Sequence, residues 1–330
     1  MSKGRIFSGM RPTGKLHIGH LSVLENWVRL QDTNECYFGI VDWHALTTAF
    51  DNPKALPDHI IDMALDWLSV GLDPEKSAVF VQSHVKQHGE LHLLLSMITP
   101  LSWLERVPTF KDQVQQLKTQ GKDINTYGFL GYPLLMAADI LVYRANLVPV
   151  GVDQLPHLEL CREIARRFNF LYQVSLFPEP QAVLSRENVL PGTDGRKMSK
   201  SYGNEIPIDV EPQELFQKVR QMVTDPARIR KNDPGHPEVC VVYTYHQFYA
   251  GDEVDDIAVS CRKGEIGCVE CKNRLANRLE NILAPIRERR NAYRQKIEWV
   301  RDILAEGQRK AAQEAEKTMA LVREAMSMSH

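Results

Sequence analysis

Arg5-Ile6-Phe7-Ser8 runs into Gly9-Met10-Arg11-Pro12-Thr13-Gly14-Lys15-Leu16-His17-Ile18-Gly19-His20, and the helix-like stretch Leu21 to Leu30 follows directly. The first four residues read as a short strand, so the order is strand, glycine-bearing loop, helix. A helix N-terminus carries unsatisfied N–H groups and about half a positive charge, which attracts phosphate. Gly14 and Gly19 allow close backbone approach. His17 and His20 lie three apart and so share one helical face, from which both can donate hydrogen bonds to oxygens that gain charge in a transition state. Taken alone, these residues fit a capped turn with surface histidines equally well.

Working outward, further strand candidates are Cys36 to Val41, Ala78 to Val81 and Leu147 to Val150, with helix-length segments such as Ala55 to Ser69 and Asp153 to Phe168 between them. Strands alternating with helices predict a parallel, doubly wound α/β sheet covered on both faces, with ligands at the carboxyl ends of its strands. From Glu211 the strand signals fade. Leu275, Leu279, Ile282, Ile286, Tyr293, Ile297, Val300 and Leu304 then recur at helical spacing. The expected organisation is therefore an α/β domain over 1–205 and an all-helical domain over 206–330. Pro285 is expected to bound or kink a helix, and Gly307 to mark a weak point.

The chain has 330 residues, 43% hydrophobic and 25% charged, with a formal net charge of −2. That balance excludes a general polyanion binder, so nucleic-acid contact would rest on local patches or shape. No apolar run approaches the roughly 20 residues of a membrane span. The N-terminus lacks a secretory pattern, which predicts a cytoplasmic protein with no membrane association. A disulfide framework is correspondingly not expected for its six cysteines.

A second polar, glycine-bounded segment is Asp194-Gly195-Arg196-Lys197-Met198-Ser199-Lys200-Ser201. It reads either as a solvated basic loop or as a mobile loop whose lysines close on a leaving pyrophosphate. His17-Ile18-Gly19-His20 and Lys197-Met198-Ser199-Lys200-Ser201, about 180 residues apart, together resemble the HIGH and KMSKS elements of class I aminoacyl-tRNA synthetases, and over nearly the whole chain the resemblance is to the bacterial tryptophanyl enzymes. It implies a Rossmann-like catalytic domain followed by a helical anticodon-binding domain. It further implies that L-tryptophan is activated with ATP and Mg2+ to an adenylate, then transferred to tRNA(Trp) by a homodimer. His17, His20, Lys197 and Lys200 would be catalytic. ATP binding would use Arg11, Pro12, Thr13, Gly19, Gly151, Val152, Asp153, Val189, Met198, Ser199 and Ser201 as well. Arg11 departs from the family, where many relatives have glutamine, and Thr13 stands for serine; phosphate contact and simple solvation are both open for Arg11.

Tyr132-Pro133-Leu134-Leu135-Met136-Ala137-Ala138-Asp139-Ile140-Leu141 reads as a buried helix with one carboxylate, a placement that demands a donor. Indole has one N–H and no acceptor, so it is a fitting partner. The resemblance assigns Asp139 the same role. It sets Phe7, Met136, Ile140, Val148 and Val150 around the indole, and Tyr132 and Gln154 on the amino-acid backbone. Val41 to Thr48 also resembles a family segment, without an assigned role.

Cys240, Cys261, Cys268 and Cys271 leave gaps of twenty, six and two residues, a spacing that suits four thiolates on zinc or on an iron–sulfur cluster. A subset of bacterial tryptophanyl enzymes carries a similar pattern with a 4Fe-4S cluster, which favours that group over Zn2+. Arg262, Lys263 and Lys272 add local positive charge. Cys36 and Cys161 read as buried. Three rival readings are a tyrosine-specific enzyme, a small-molecule adenylate-forming enzyme and a non-catalytic synthetase-like binder. Pyrophosphate exchange with each aromatic amino acid separates them.

Overall fold

The computed structural model describes residues 4–107, 124–184, 190–199 and 202–328. The chain forms two compact units, one of Met1–Lys15, Val23–Glu187 and Lys296–His330, the other of Leu16–Ser22 and Asn188–Gln295. Chain order and spatial grouping therefore differ: the sequence reading places a single boundary at 205, whereas the chain passes between units at four points.

The first unit is built on five parallel strands, β1 (Arg5–Met10), β2 (Glu35–Ile40), β3 (Ser77–Val81), β4 (Leu147–Val150) and β5 (Gln181–Leu184), in the order β3-β2-β1-β4-β5. The sheet bears out the expected Rossmann-like α/β class. The chain moves from β1 to β2 to β3 on one side, then crosses back to β4 and β5 on the other. That reversal between β1 and β4 opens a crevice at their carboxyl ends, where open α/β sheets bind ligands. All five residues of β3 are buried, as expected of a strand covered on both faces. The edge strand β5 is only four residues long and partly buried.

Gly307, expected as a weak point, lies inside the continuous helix Ile297–Ala325. A Cβ there would sit 1.9 Å from the Val79 carbonyl oxygen, so the missing side chain lets the helix backbone rest on β3. Ala311, Ala315 and Met319 continue that packed face. Arg5 of β1 clamps the same helix through Glu314 at 2.7 Å, and Arg144 adds a second bond at 3.2 Å.

The second unit contains the helices Pro212–Gln221, Val241–Tyr249, Val254–Arg262 and Cys268–Arg294 around Leu215, Val219, Tyr245, Leu275, Leu279 and Leu283. The expected boundary at Pro285 is corrected: Cys268–Arg294 runs straight through it. Pro285 and Asn281, whose carbonyl loses its helical partner, are both exposed, so water satisfies the freed group. The short segment at Leu16 joins this unit by backbone pairing, with Ile18 N–H donating to Ile206 O at 2.8 Å and Ile208 N–H to Leu16 O at 3.2 Å.

Among the described residues no helix is long and apolar enough to cross a membrane.

Candidate active site

The crevice at the ends of β1 and β4 deepens into a cavity of about 360 Å³ within the first unit. Phe7 through Arg11 come from β1 and its loop, Val148 through Gly151 with Asp153 and Gln154 from β4 and its loop, and Tyr132, Met136, Asp139 and Ile140 from one helix. The structure thus brings together Phe7, Arg11, Tyr132, Met136, Asp139, Ile140, Val148, Val150, Gly151, Asp153 and Gln154. Pro12, Thr13 and Val152 are not among the cavity's lining residues.

The helix Tyr132–Leu141 carries eight buried residues, and its apolar packing holds Asp139 at 1% exposure. A charge so placed requires full compensation. Asp139 accepts hydrogen bonds from His88 Nδ1 at 2.7 Å, His44 Nε2 at 2.9 Å and Gln82 Nε2, which lies 2.8 Å from both carboxylate oxygens. Burial alone would raise its pKa, but the bonds from His44 and His88 outweigh it and hold the carboxyl at about 2. Asp139 is therefore ionised throughout the physiological range.

The partners are themselves oriented. Gln82 Oε1 accepts the Trp43 backbone N–H at 3.1 Å, which turns its amide nitrogen toward Asp139. The Tyr143 hydroxyl lies 2.7 Å from His88 Nε2. Burial raises Tyr143 well above the ordinary phenol value, so its O–H donates and the His88 proton resides on Nδ1, facing the carboxylate. Tyr143 stacks on Tyr37 and Phe7. Sequence reading missed His44, Gln82, His88 and Tyr143. Gln82 and His44 do carry a signal, since each lies just beyond the carboxyl end of a strand, β3 and β2 respectively.

At another part of the cavity wall the Tyr132 hydroxyl bonds His157 Nε2 at 2.8 Å, and Gln154 Nε2 donates to Asp153 at 2.8 Å. Arg11 donates through Nη2 to the Thr48 hydroxyl.

The second unit gathers the two halves of the split signature. His17 and His20 stack with ring centroids 3.9 Å apart. Gly19 keeps this packing close: a Cβ there would lie 3.0 Å from His17 Nδ1, a tight contact, and 3.8 Å from Met198 Sδ. The loop from Pro191 to Lys197 folds back on itself around Gly195, whose φ of +82° favours glycine. Its hub is Asn204, 3% exposed and likewise missed from sequence. The Asn204 amide nitrogen donates to Asp194 at 2.8 Å and to the Lys197 carbonyl at 3.1 Å, while its oxygen accepts the Ser199 N–H at 2.8 Å. Asn204 and Arg196 together hold the Asp194 carboxyl at about 2. Val189, Lys200 and Ser201 lie outside the described residues.

Cys240 precedes the helix Val241–Tyr249, Cys261 lies near the end of Val254–Arg262, and Cys268 and Cys271 occupy the first turn of Cys268–Arg294. All four are free thiols and partly buried, near enough that the Cys271 thiol feels the other three and Cys261 feels Cys240 and Cys268. Burial, reinforced by those neighbours, pushes Cys271 up to about 12. Arg228 Nη1 approaches Cys261 Sγ at 3.7 Å and His246 Nε2 approaches Cys271 Sγ at 3.4 Å. Among the described residues, no three His, Cys, Asp or Glu side chains are grouped so as to hold a metal ion.

Residues 2–284 match the family described as class I tRNA synthetases (W and Y). The chain is 53% identical to the tryptophan–tRNA ligase of Thermotoga maritima, covering 98% of this chain and 99% of that one. It is 46% identical to the tryptophan–tRNA ligase of Aquifex aeolicus, covering 98% and 100%. Among solved structures, the tryptophanyl-tRNA synthetase of Campylobacter jejuni complexed with ADP and tryptophan superposes with a TM-score of 0.86 at 32% identity, over 98% of this chain and 99% of that one. With this match extending through the strands, the cavity and both signature elements, the chain belongs to the class I tRNA synthetases for tryptophan and tyrosine.

Proposed function

We infer that the chain is a tryptophan–tRNA ligase. The observation that carries the choice of amino acid is the state of Asp139. A carboxylate offers about four lone-pair positions. His44, His88 and Gln82 keep the group ionised and fixed, with the Gln82 nitrogen shared between both oxygens, and Asp139 lines the cavity as an acceptor for a ligand that brings one donor. Indole N–H meets that need. Phe7, Met136, Ile140, Val148 and Val150 supply the apolar walls, and Tyr132 and Gln154 engage the amino-acid backbone.

The tryptophan carboxylate attacks the α-phosphorus of Mg-ATP, pyrophosphate departs, and the acyl group then passes to the terminal ribose of tRNA(Trp). No protein nucleophile is required. His17, His20, Lys197 and Lys200 stabilise charge that develops on the phosphates, and the other ATP-binding positions named from sequence, Arg11 apart, hold the nucleotide. Amino-acid-dependent pyrophosphate exchange tests the reading. Exchange with tryptophan is expected; exchange with tyrosine but not tryptophan would overturn it.

The four-cysteine spacing suits zinc or an iron–sulfur cluster, and its likeness to the pattern in a subset of bacterial tryptophanyl enzymes is what favours 4Fe-4S. Cys240, Cys261, Cys268 and Cys271 would hold the cluster, whose role is to order the helices around it. An anaerobically purified sample should absorb in the visible and contain iron; a colourless protein with one zinc refutes the assignment. Leu93 on the helix Gln87–Ser96 and Met97 just after its end are 57% and 66% exposed, with Leu101 beyond them at 63%. That apolar face suits a second copy in a cytoplasmic homodimer, and Met97→Glu should shift the mass in solution to a monomer.

A further inference from the structure

We propose that Arg11 is the residue that recognises the α-carboxylate of the amino acid, rather than a nucleotide contact. The proposal deepens the reading of the same cavity as an amino-acid activation site. Arg11 leaves the carboxyl end of β1 at the point where the strand order reverses, and it is the one arginine or lysine among the described residues lining the cavity. Its neighbours are neutral: Nη2 donates to the Thr48 hydroxyl, and the Tyr132 phenol lies within electrostatic reach. No carboxylate among the described residues pairs with it. A guanidinium left without a counter-ion in a substrate cavity is matched by an anion on the substrate. An α-amino acid whose side-chain donor is held by Asp139 carries one such group, its carboxylate.

The geometry also suits the reaction. With Nη2 turned to Thr48, the guanidinium engages one carboxylate oxygen and leaves the other to act. That second oxygen forms the bond to the α-phosphorus as the bond from phosphorus to the bridging oxygen breaks, and pyrophosphate carries away the electron pair. A glutamine at this position offers only neutral donors, so the arginine adds charge recognition that the amide lacks.

Calorimetric titration of the full-length protein without ATP tests this, using tryptophan, tryptamine and indole-3-propionate on the wild type, Arg11→Gln and Arg11→Lys. Arg11→Gln should weaken tryptophan and indole-3-propionate by about 10- to 100-fold, the usual range for a bond to a charged group. Tryptamine, which lacks the carboxylate, should bind the variant as well as it binds the wild type. Arg11→Lys should recover part of the loss. The proposal is overturned if tryptophan and tryptamine weaken together, which marks a structural role, or if tryptophan is unaffected while the KM for ATP rises, which marks a phosphate contact. Repeating the series with tyrosine and tyramine separates the two readings: carboxylate discrimination with tyrosine alone would leave Arg11 in its role and refute the choice of tryptophan.

Discussion

The two compact units secure their functional residues by opposite means. In the first, one carboxylate is surrounded by three side chains, His44, Gln82 and His88, which are buried and in turn oriented by Trp43 N–H and Tyr143. In the second, one side chain, Asn204, holds three points of a polar loop. The first arrangement fixes the position of a charge, as the proposed acceptance of an indole N–H by Asp139 requires. The second holds the described part of a polar loop through one side chain, and under the proposed function the lysines of that loop approach a departing pyrophosphate. Preorganisation serves recognition, and light restraint serves a step that needs movement.

Asp139→Asn should break the first arrangement with the largest effect. The amide keeps the shape but turns an N–H2 toward existing donors and loses the acceptor that indole requires. We expect kcat/KM for tryptophan to fall by about 10³ or more, given that polar recognition of this kind discriminates by roughly 10⁴ to 10⁵. The KM for ATP should hold. A pyrophosphate-exchange assay that finds equal discrimination between tryptophan and tyrosine in both proteins would remove Asp139 from its role.

Gly307→Ala probes the scaffold behind the cavity. Helix propensity alone would stabilise alanine by about 1 kcal/mol. The carbonyl of Val79, 1.9 Å from the added Cβ, is backbone of the buried strand β3 and cannot swing aside as a flexible side chain would. Overpacking should win, with a loss of about 3 kcal/mol and a melting temperature lower by roughly 5–10 °C. A thermal melt that rises instead would show that the helix does not rest on β3 as described.

The charge on Asp139 can be sharpened by acid. Its folded carboxyl lies at about 2, below the ordinary 3.8. A depressed carboxyl contributes stability above its unfolded value, and that contribution disappears as pH falls through the folded value. Between about pH 4 and pH 2 the wild type should therefore lose about 2 kcal/mol that Asp139→Asn does not lose. Parallel denaturation curves across that window would show that the carboxyl is not held down by its neighbours.

Much of this was legible in the sequence, and the reasons for the gaps are physical. Strands β1 to β4 announce themselves as apolar runs, and the signature elements are local strings. Asp139 stands out because a charge inside an apolar helix demands a partner. The partners are hidden: His44, Gln82 and His88 are separated from Asp139 by 95, 57 and 51 positions and meet it only after the sheet forms. Strand β5 is only four residues long and partly exposed, so its short Ala182-Val183-Leu184 run gives a weak signal. Gly307 and Pro285 are read as breaks by local rules, yet one is needed for close packing and the other faces water. The grouping of His17 with Met198 depends on pairing between Leu16 and Ile208, which no periodicity reveals.

Asn204→Ala should give the smallest effect and tests the second arrangement most directly. Removing the amide releases Asp194, the Lys197 carbonyl and the Ser199 N–H together, so the loop samples more conformations around the position its lysines need. Each released bond contributes about 1 kcal/mol, but the exposed loop recovers part of that from water. We therefore expect kcat for pyrophosphate exchange to fall by about tenfold, or roughly 1.4 kcal/mol. Tryptophan affinity measured without ATP should stay at its wild-type value, because none of the Asn204 partners line the amino-acid cavity. If affinity and kcat fell together, recognition would depend on the loop as much as on Asp139, and the contrast between a rigid cavity and a lightly tethered loop would fail.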